Sequence, residues 1–260
     1  MTHNPFDPDY HEPENGMPSD AEFRADFGLG EHAPKSGPVY HAQLIQGSDP
    51  WLAMRCGKIC ASEMKLIVTP TLKVADNDKT RAHVYELLFQ RMTGYVEPYY
   101  VSNDMLRGVE EEFYAREAYA KHFSPVAEVG FITNDKWGFT IGYSPDGLVG
   151  DDGLLECKSR RGKYQVQTIA ENEVPSEYML QLQTGLLVSE RSWIDFVSYS
   201  GGLPMFVKRV EADPLIQGAI VAAATDFEAR LAEKEREYCA TLATMGKVIE
   251  TERRVIEEIY

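Results

Sequence analysis

The segment that decides the fold runs from 143 to 159 and reads YSPDGLVGDDGLLECKS. Two apolar runs flank the turn residues Asp151-Asp152-Gly153, which predicts two antiparallel strands. Residues two apart on a strand point to the same face, so Glu156 and Lys158 should project together. Asp146 ends the preceding strand in a Pro-Asp-Gly bend. The hairpin should therefore bring the carboxylates of Asp146 and Glu156 onto neighbouring strands.

This pair of carboxylates with a lysine beside them indicates metal-assisted phosphodiester hydrolysis. Clustered carboxylates repel one another unless a cation lies between them, and all-oxygen ligands favour Mg²⁺ or Mn²⁺. A nearby lysine can orient or deprotonate the attacking water and can face the scissile phosphate. The alternative is a hairpin with surface charges. The apolar Gly-Leu-Leu run before Glu156 favours the site, because exposed hairpin charges usually alternate with polar residues.

Working outward, hydrophobic periodicity and turn residues predict the remaining elements. Helices are expected over 78–93, 104–122 and 177–189, and strands over 128–134, 137–150, 154–159, 193–200 and 205–211. A short helix should begin at Ser48 or Asp49, Ser62 should cap a second one, and one long helix or two should follow Pro214. The first three strands should form an antiparallel meander, and Phe113 and Tyr119 should face inward.

The order of these elements predicts one α+β domain, a layered arrangement in which helices flank a central mixed sheet of about five strands. The chain has 260 residues, of which 43% are apolar, which is enough for one sizeable core. We expect a flexible acidic N-terminal arm over 1–38 and the core domain over 39–212. A C-terminal helical extension over 213–260 should pack on the core or at a subunit interface.

The charge is unusual for a protein that binds phosphate groups. The net charge is −15, whereas contacts to DNA phosphates need Lys and Arg. The acidity is concentrated in the two ends of the chain, and two bound divalent cations would offset the carboxylates of the predicted site. The four cysteines are expected to be free thiols in a reducing cytoplasm. We expect no signal peptide, because the first residues show neither a basic nor an apolar region. We expect no transmembrane helix, because no run of about 18 apolar residues occurs.

Three blocks of sequence, taken together, resemble a known family. They are QGSDPWLAMRCGKICASE (46–63), RGVEEEFYAREAY (107–119), and the segment 143–159 followed by YMLQLQTGLLV (178–188). They resemble the YqaJ-type viral recombination exonucleases, the family of phage λ exonuclease. Pro145-Asp146 followed by Glu156-Cys157-Lys158 matches the motif of the wider PD-(D/E)xK nuclease superfamily.

The resemblance implies a role for each matching residue of the active site. It implies that Asp146, Glu156 and the main-chain carbonyl of Cys157 bind one metal ion and that Asp135 binds a second. It implies that Lys158 is the catalytic lysine and that Gln181 holds the water or the lysine. It also implies a glutamate that reaches into the site from a helix. Glu112 matches this glutamate, with Glu110 and Glu111 as alternative registers.

The resemblance further implies that Arg55, Ser62 and Ser144 bind the 5′-phosphate of DNA. An arginine fork and hydroxyl groups suit a terminal phosphate dianion, and a helix start adds N–H donors. An additional phosphate-binding arginine is expected after the Glu-x-Lys strand, and Arg160 and Arg161 are both candidates for it.

The activity that the resemblance implies is a Mg²⁺-dependent 5′-to-3′ exonuclease acting on linear double-stranded DNA. Such an enzyme holds two Mg²⁺ ions per active site, with Mn²⁺ able to substitute, and releases 5′-mononucleotides to leave a 3′ overhang. The resemblance also implies a homotrimeric ring, a single-strand annealing protein as partner, and a phage or prophage origin. The alternatives are an endonuclease or junction resolvase of the same fold, or a non-catalytic DNA-binding phage protein.

Overall fold

A computed structural model describes residues 37–98 and 103–253 of the chain. The predicted N-terminal arm therefore lies outside the described residues except for positions 37 and 38, and the predicted C-terminal extension is described as far as 253. The described part consists of helices packed against two β-sheets. No helix in this part is long and apolar enough to cross a membrane.

Nine strands form the two sheets of the described chain. In chain order they are β1 Pro38–His41, β2 Ile59–Cys60, β3 Val126–Ala127, β4 Phe131–Asn134, β5 Ile141–Tyr143, β6 Gly147–Val149, β7 Gly153–Ser159, β8 Trp193–Tyr199 and β9 Phe206–Glu211. The larger sheet has the order β3-β6-β7-β8-β9, with β7 and β8 parallel and the other pairs antiparallel. The prediction of an α+β domain around a mixed sheet of about five strands is confirmed.

The predicted three-stranded meander is wrong, because its strands belong to two different sheets. The smaller sheet has the order β1-β4-β5-β2, so β4 and β5 pair in one sheet while β6 and β7 pair in the other. The predicted single strand over 137–150 is therefore two strands that belong to different sheets. The chain crosses between the sheets at Ser144-Pro145-Asp146. Pro145 has no N–H group to donate to a strand ladder, which explains why pairing stops there.

The helices agree with the predictions except at two places. They are α1 Asp49–Arg55, α2 Asp78–Thr93, α3 Asn103–His122, α4 Gly162–Glu171, α5 Ser176–Ser189 and α6 Pro214–Thr244, with a 3₁₀ helix over Ala61–Leu66. Helix α4 was not predicted. Ser62 does not cap the 3₁₀ helix, because this helix begins at Ala61 and its N-terminal flanking residue is Cys60. Asn77 caps α2 by accepting hydrogen bonds from two backbone N–H groups, and Gly94 ends α2 in the left-handed conformation.

Helices α5 and α3 contact opposite faces of the central strand β7. Leu154 packs in the cluster that contains Leu182 and Leu186 of α5. Leu155 and Cys157 point the other way and pack with residues of α3. Glu156 shares the face of Leu154 because residues two apart on a strand project together. Glu156 therefore lies on the face of β7 that α5 covers, while α3 covers the opposite face.

The inward face of α3 differs from the prediction at one position. Tyr119 is buried, as predicted, and its hydroxyl donates a hydrogen bond to Asp195 at 2.7 Å. Phe113, however, is 51% exposed. The buried stripe runs through Ala115 and Tyr119, which are four residues apart. Phe113 precedes Ala115 by two residues, about 200° around the helix, and therefore faces outward.

The close approach at Gly130 gives a stability prediction. A Cβ atom at this position would lie 2.0 Å from the backbone oxygen of Leu44, which cannot move aside by rotating a side chain. We expect Gly130→Ala to lower the free energy of unfolding by about 1–3 kcal/mol, measured by urea denaturation. The control is Gly218→Ala in α6, where a Cβ would meet no atom within 4 Å. That change should leave stability equal or slightly higher, and equal losses in both variants would contradict the prediction.

Candidate active site

Asp146 and Glu156 lie directly across from each other at the end of the β6–β7 hairpin. Gly147 pairs with Leu155, and the backbone N–H of Asp146 donates to the carbonyl of Leu155 at 3.1 Å. Extending this register by one residue places Asp146 opposite Glu156. Glu156 is buried and Asp146 is partly buried. The structure therefore brings together the two carboxylates that the hairpin pattern predicted.

Three donors surround the carboxylate of Glu156. Its Oε1 accepts a hydrogen bond from Nε2 of Gln181 at 2.5 Å and contacts Nζ of Lys158 at 2.6 Å. Its Oε2 accepts a hydrogen bond from the hydroxyl of Tyr143 at 2.6 Å. Lys158 and Gln181 are thus brought to the predicted site by β7 and α5. Tyr143, the last residue of β5, was not predicted to contribute to it.

The electrostatics of the cluster indicate a place for a cation. Burial, together with the negative charge of Glu156, raises the pKa of Asp146 to about 8. Burial alone would lower the pKa of Lys158, but the charges of Glu156, Asp146 and Glu112 outweigh it, so that this pKa lies well above its ordinary value. Lys158 is therefore charged at neutral pH. One ammonium group faces three carboxyl groups, so without a further cation the cluster is short of positive charge.

The structure separates the three neighbouring glutamates of α3. The carboxyl group of Glu112 faces the cluster: burial raises its pKa, while Lys158 lowers it and Glu156 raises it. Glu111 points elsewhere and accepts hydrogen bonds from Ser159 and from the backbone N–H of Gly201. Glu110 is exposed. Of the three alternative registers, Glu112 is the one whose carboxyl group interacts electrostatically with Lys158 and Glu156.

The donor atoms at the end of the hairpin suit a hard divalent cation. The backbone N–H of Cys157 donates to Oδ2 of Asp146 at 2.6 Å. The backbone N–H and carbonyl of Cys157 therefore both point to the β6 side of β7. Because β6 begins only at Gly147, the carbonyl of Cys157 faces the side chain of Asp146 rather than a strand. Two carboxylates and this carbonyl fit one Mg²⁺ whose other ligands are waters. Within the described residues, no group of three acidic, histidine or cysteine side chains converges to hold a metal.

Asp135, the predicted ligand of a second metal, does not join this cluster. It follows β4 in the turn that leads into β5, and its carbonyl accepts a hydrogen bond from Gly138. Strand β5 then runs away from this turn toward Asp146, since Asn134 pairs with its first residue and Ile132 with its last. The whole of β5 therefore separates Asp135 from Asp146. This position gives no support to the role of Asp135 as a metal ligand, which was implied by the family resemblance and stays a prediction.

A second group of residues lies beside the first, around the sheet crossing. The guanidinium of Arg55 lies 4.6 Å from the centre of the Trp51 ring, and its Nη2 lies 3.5 Å from Oγ of Ser62 and 4.0 Å from Glu63. Nε1 of Trp51 donates to Oγ of Ser144 at 3.0 Å. The structure thus brings together the three residues predicted to bind phosphate, with Trp51 as an unpredicted link between them. Ser144 connects this group to Asp146, two residues along the chain.

Arg160 and Arg161 differ in their surroundings. The guanidinium of Arg160 lies between the rings of Tyr164 and Tyr178, and its Nη1 contacts Glu177 at 2.5 Å. It is buried and joins the start of α4 to α5. Arg161 is exposed. Both arginines line a cavity of about 450 Å³ whose wall also contains Arg107, Ser159 and Tyr164. Arg161 is the more exposed of the two, and Arg107 is an unpredicted cation beside them.

The sheet, the flanking helices and the Asp146, Glu156 and Lys158 triad define a PD-(D/E)xK nuclease core. Comparison with known proteins gives the family. The description "YqaJ-like viral recombinase domain" fits residues 50–192, and the chain belongs to this family. No curated protein matches it.

Solved structures support the same relationship. The crystal structure of an alkaline exonuclease from Laribacter hongkongensis (LHK-Exo) is 32% identical in sequence, with a TM-score of 0.67 over 75% of this chain and 98% of that one. LHK-Exo in complex with dAMP matches at 34% identity with the same TM-score and coverage. These similarities support a nuclease role for this chain.

Proposed function

We propose that this chain is a Mg²⁺-dependent exonuclease that digests one strand of linear double-stranded DNA from its 5′ end. The observation that carries the proposal is the convergence of Asp146, Glu156 and Lys158 beside the group of Arg55, Ser62 and Ser144. The first group suits phosphodiester hydrolysis and the second suits a terminal phosphate. Their adjacency supports cleavage at a fixed distance from a DNA end.

Asp146, Glu156 and the carbonyl of Cys157 would hold Mg²⁺, and Mn²⁺ would fit the same oxygen donors. Bound there, the cation would polarise a phosphoryl oxygen and make a water molecule more acidic. A second Mg²⁺ remains part of the proposal. Glu112 is the acidic side chain near the cluster that is available to it, in place of Asp135.

The remaining side chains of the cluster have roles that follow from their charge. Lys158, a permanent cation at neutral pH, would donate a hydrogen bond to a non-bridging oxygen of the scissile phosphate and stabilise the charge that develops there. Gln181 would hold Glu156 in place through the hydrogen bond that it donates. Arg107, Arg160 and Arg161 all line the adjoining cavity and would contact phosphates of the strand farther from its end.

Binding of the 5′-phosphate would explain both direction and product. Hydrolysis adds water across the phosphodiester bond, so that the released nucleotide keeps its 5′-phosphate and gains a 3′-hydroxyl group. The shortened strand then begins with a new 5′-phosphate, which Arg55, Ser62 and Ser144 can bind again. The complex of LHK-Exo with dAMP supports a deoxynucleoside monophosphate as the product class. The remaining strand would be a 3′ overhang suited to recombination by strand annealing.

A homotrimeric ring around the DNA and a single-strand annealing protein as partner complete the proposal, on the strength of the family. A ring would keep the enzyme on an acidic substrate despite its own net charge of −15. Sedimentation equilibrium tests the ring directly, and three copies of the chain per particle is the expected result.

The test of the proposed function is digestion of a linear duplex that carries a different fluorescent label on each strand. We expect loss of the 5′-ended strand in Mg²⁺, none in EDTA, faster digestion from 5′-phosphate than from 5′-hydroxyl ends, and mononucleotide products. Loss of the strand from its 3′ end would overturn the proposed direction. Cutting of covalently closed circular duplex would favour an endonuclease or a junction resolvase, since an exonuclease needs an end.

Replacing Arg55 tests the phosphate-binding group separately from hydrolysis. Charge-assisted hydrogen bonds contribute about 1.5–3 kcal/mol, so Arg55→Ala should reduce the preference for 5′-phosphate over 5′-hydroxyl ends by about 10- to 100-fold. Initial rates on the two kinds of end measure this preference. The control is Arg81→Ala, because Arg81 is an exposed arginine that pairs with Asp76 and Asp78. An unchanged preference in the Arg55 variant would rule out this role.

A further inference from the structure

The two oxygens of Glu156 are held differently. Oε1 accepts from Gln181 and contacts Lys158, which occupies both of its lone pairs. Among the hydrogen bonds of the described residues, Oε2 accepts one, from Tyr143 at 2.6 Å. Oε2 therefore keeps a lone pair for a cation, and the Tyr143 hydroxyl is the group that fixes its direction.

The position of Tyr143 in the fold suits it to fix the direction of Oε2 of Glu156. It is the last residue of β5 in the smaller sheet, three residues before Asp146, and its side chain is fully buried. Its hydroxyl reaches across to Glu156 on β7 in the larger sheet. The hydrogen bond thus ties the crossing that carries Asp146 to the strand that carries Glu156.

Helix α5 provides the space that the Tyr143 ring needs. A Cβ atom on Gly185 would lie 2.7 Å from Cζ of Tyr143, the carbon that bears the hydroxyl group. Glycine is a poor helix former, and Gly185 lies in the interior of α5. Gln181 lies one turn earlier on the same helix and donates to the other oxygen of Glu156. One helix face therefore holds Oε1 directly and makes room for the group that holds Oε2.

We propose that Tyr143, seated against Gly185, is a positioning residue that orients Oε2 of Glu156 toward the metal ion. The inference rests on the proposed metal-dependent function and adds to it a residue of the chain that sets metal affinity. Groups that hydrogen-bond to a metal ligand fix its orientation, and their removal typically lowers metal affinity 10- to 100-fold. A merely structural tyrosine would affect stability and leave metal affinity unchanged.

The test compares Tyr143→Phe with wild type, because this change removes the hydroxyl and keeps the ring. Calorimetric titration of the DNA-free protein with Mn²⁺ should give a dissociation constant raised at least about tenfold. The Mg²⁺ concentration for half-maximal digestion should rise by a similar factor, while the rate at saturating Mg²⁺ recovers most of the wild-type value. Thermal unfolding of the metal-free variant checks that it is folded.

The matched control is Tyr119→Phe. Tyr119 is also buried and also donates to a carboxylate, that of Asp195, at 2.7 Å. Its replacement should lower stability and leave the Mn²⁺ dissociation constant unchanged. An increase as large as that in Tyr143→Phe would mean that loss of any buried tyrosine hydroxyl weakens the site, and it would overturn the specific role of Tyr143.

Gly185→Ala provides a second variant that acts through the same contact. The added Cβ should displace the Tyr143 hydroxyl and raise the Mn²⁺ dissociation constant when Tyr143 is present. In the Tyr143→Phe background the same change should have no further effect on that constant, because the hydroxyl is already gone. Equal effects in the two backgrounds would overturn the proposed contact.

The outcomes separate this inference from the proposed function. Wild-type protein that digests linear duplex only in Mg²⁺, together with unchanged metal affinity in Tyr143→Phe, would overturn the role of Tyr143 alone. Wild-type protein that neither binds Mn²⁺ nor needs Mg²⁺ for digestion would overturn the proposed function and the inference with it.

Discussion

Replacement of Lys158 by alanine is expected to lower the rate of DNA strand digestion by about 10³-fold or more. Lys158 is the one cation among the three carboxyl groups of the cluster in the described structure, and its ammonium group lies 2.6 Å from Oε1 of Glu156. Removing a group that stabilises developing charge or transfers a proton typically costs about 10²- to 10⁴-fold in rate. Single-turnover digestion of a labelled linear duplex at saturating Mg²⁺ measures the loss.

Metal binding distinguishes a catalytic role of Lys158 from a structural one. In the metal-free protein the ammonium group offsets the same carboxylates that would hold Mg²⁺. Its removal should therefore leave Mn²⁺ affinity equal to that of wild type or higher, although digestion is lost. A variant that loses activity because it misfolds would lose metal affinity as well.

The control for this prediction is Lys136→Ala, which removes an ammonium group from an ion pair with Glu190 at 2.7 Å. Lys136 lies in the turn between β4 and β5, at the end of β5 that is farther from Asp146. Wild-type rates are expected for the control. If Lys158→Ala kept a tenth or more of the wild-type rate, a catalytic role for this lysine would be excluded.

The central pair of carboxylates could be predicted because it depends only on local rules. The alternation of side chains along a strand places Glu156 and Lys158 on one face, and the hairpin places Asp146 opposite Glu156. No long-range information is needed for either step. Gln181 and Arg55 required the resemblance to a family, because they reach the site from helices whose packing the local pattern does not determine.

Tyr143 shows where this local reasoning fails. A continuous strand over 137–150 would have kept Tyr143 in the same sheet as Asp146. The crossing at Ser144-Pro145 instead leaves Tyr143 in the smaller sheet, from which its hydroxyl reaches Glu156. The proline was visible in the sequence, but nothing local specifies which sheet a strand joins after such a break.

The sequence did not predict helix α4 or the outward orientation of Phe113, because burial does not always follow hydrophobicity. The buried residues of α4 are Gln165 and Thr168, and Gln165 donates to the carbonyls of Ser198 and Pro204. The apolar Val166 is exposed instead, so hydrophobic periodicity gave no inward face for this helix. Phe113 is an apolar residue on an outward face for the same reason. Tertiary contacts, rather than side-chain type, decide both cases.

Replacement of Asp146 by asparagine is expected to abolish metal binding and, at the same time, to stabilise the metal-free protein at alkaline pH. Burial and the charge of Glu156 raise the pKa of Asp146 from 3.8 to about 8 in the folded protein. Between these values the folded protein holds a proton that the unfolded chain has released. The stability of the wild type should therefore fall as pH rises from about 4 to 8, and the asparagine variant should lack this component.

The expected difference is about 2–4 kcal/mol in favour of Asp146→Asn at pH 8, and smaller at pH 5. Asparagine can still accept the hydrogen bond from the backbone N–H of Cys157, so the hairpin should be kept. Urea denaturation in EDTA at the two pH values measures the difference. The control is Asp213→Asn at the start of α6, where Asn caps a helix as well as Asp does. It should show no such dependence on pH.

Mg²⁺ should reverse the effect in the wild type, because it replaces the proton on Asp146 and needs the ionised carboxylate. Stabilisation by a fixed Mg²⁺ concentration should therefore grow as pH rises toward 8 and should be absent in Asp146→Asn. Proton release on metal binding, measured by titration in buffers of different ionisation enthalpy, should be larger at pH 6 than at pH 9. A wild type that is stabilised equally by Mg²⁺ at pH 6 and pH 8 would show that Asp146 is already ionised without metal. The raised pKa of Asp146, on which this prediction rests, would then be wrong.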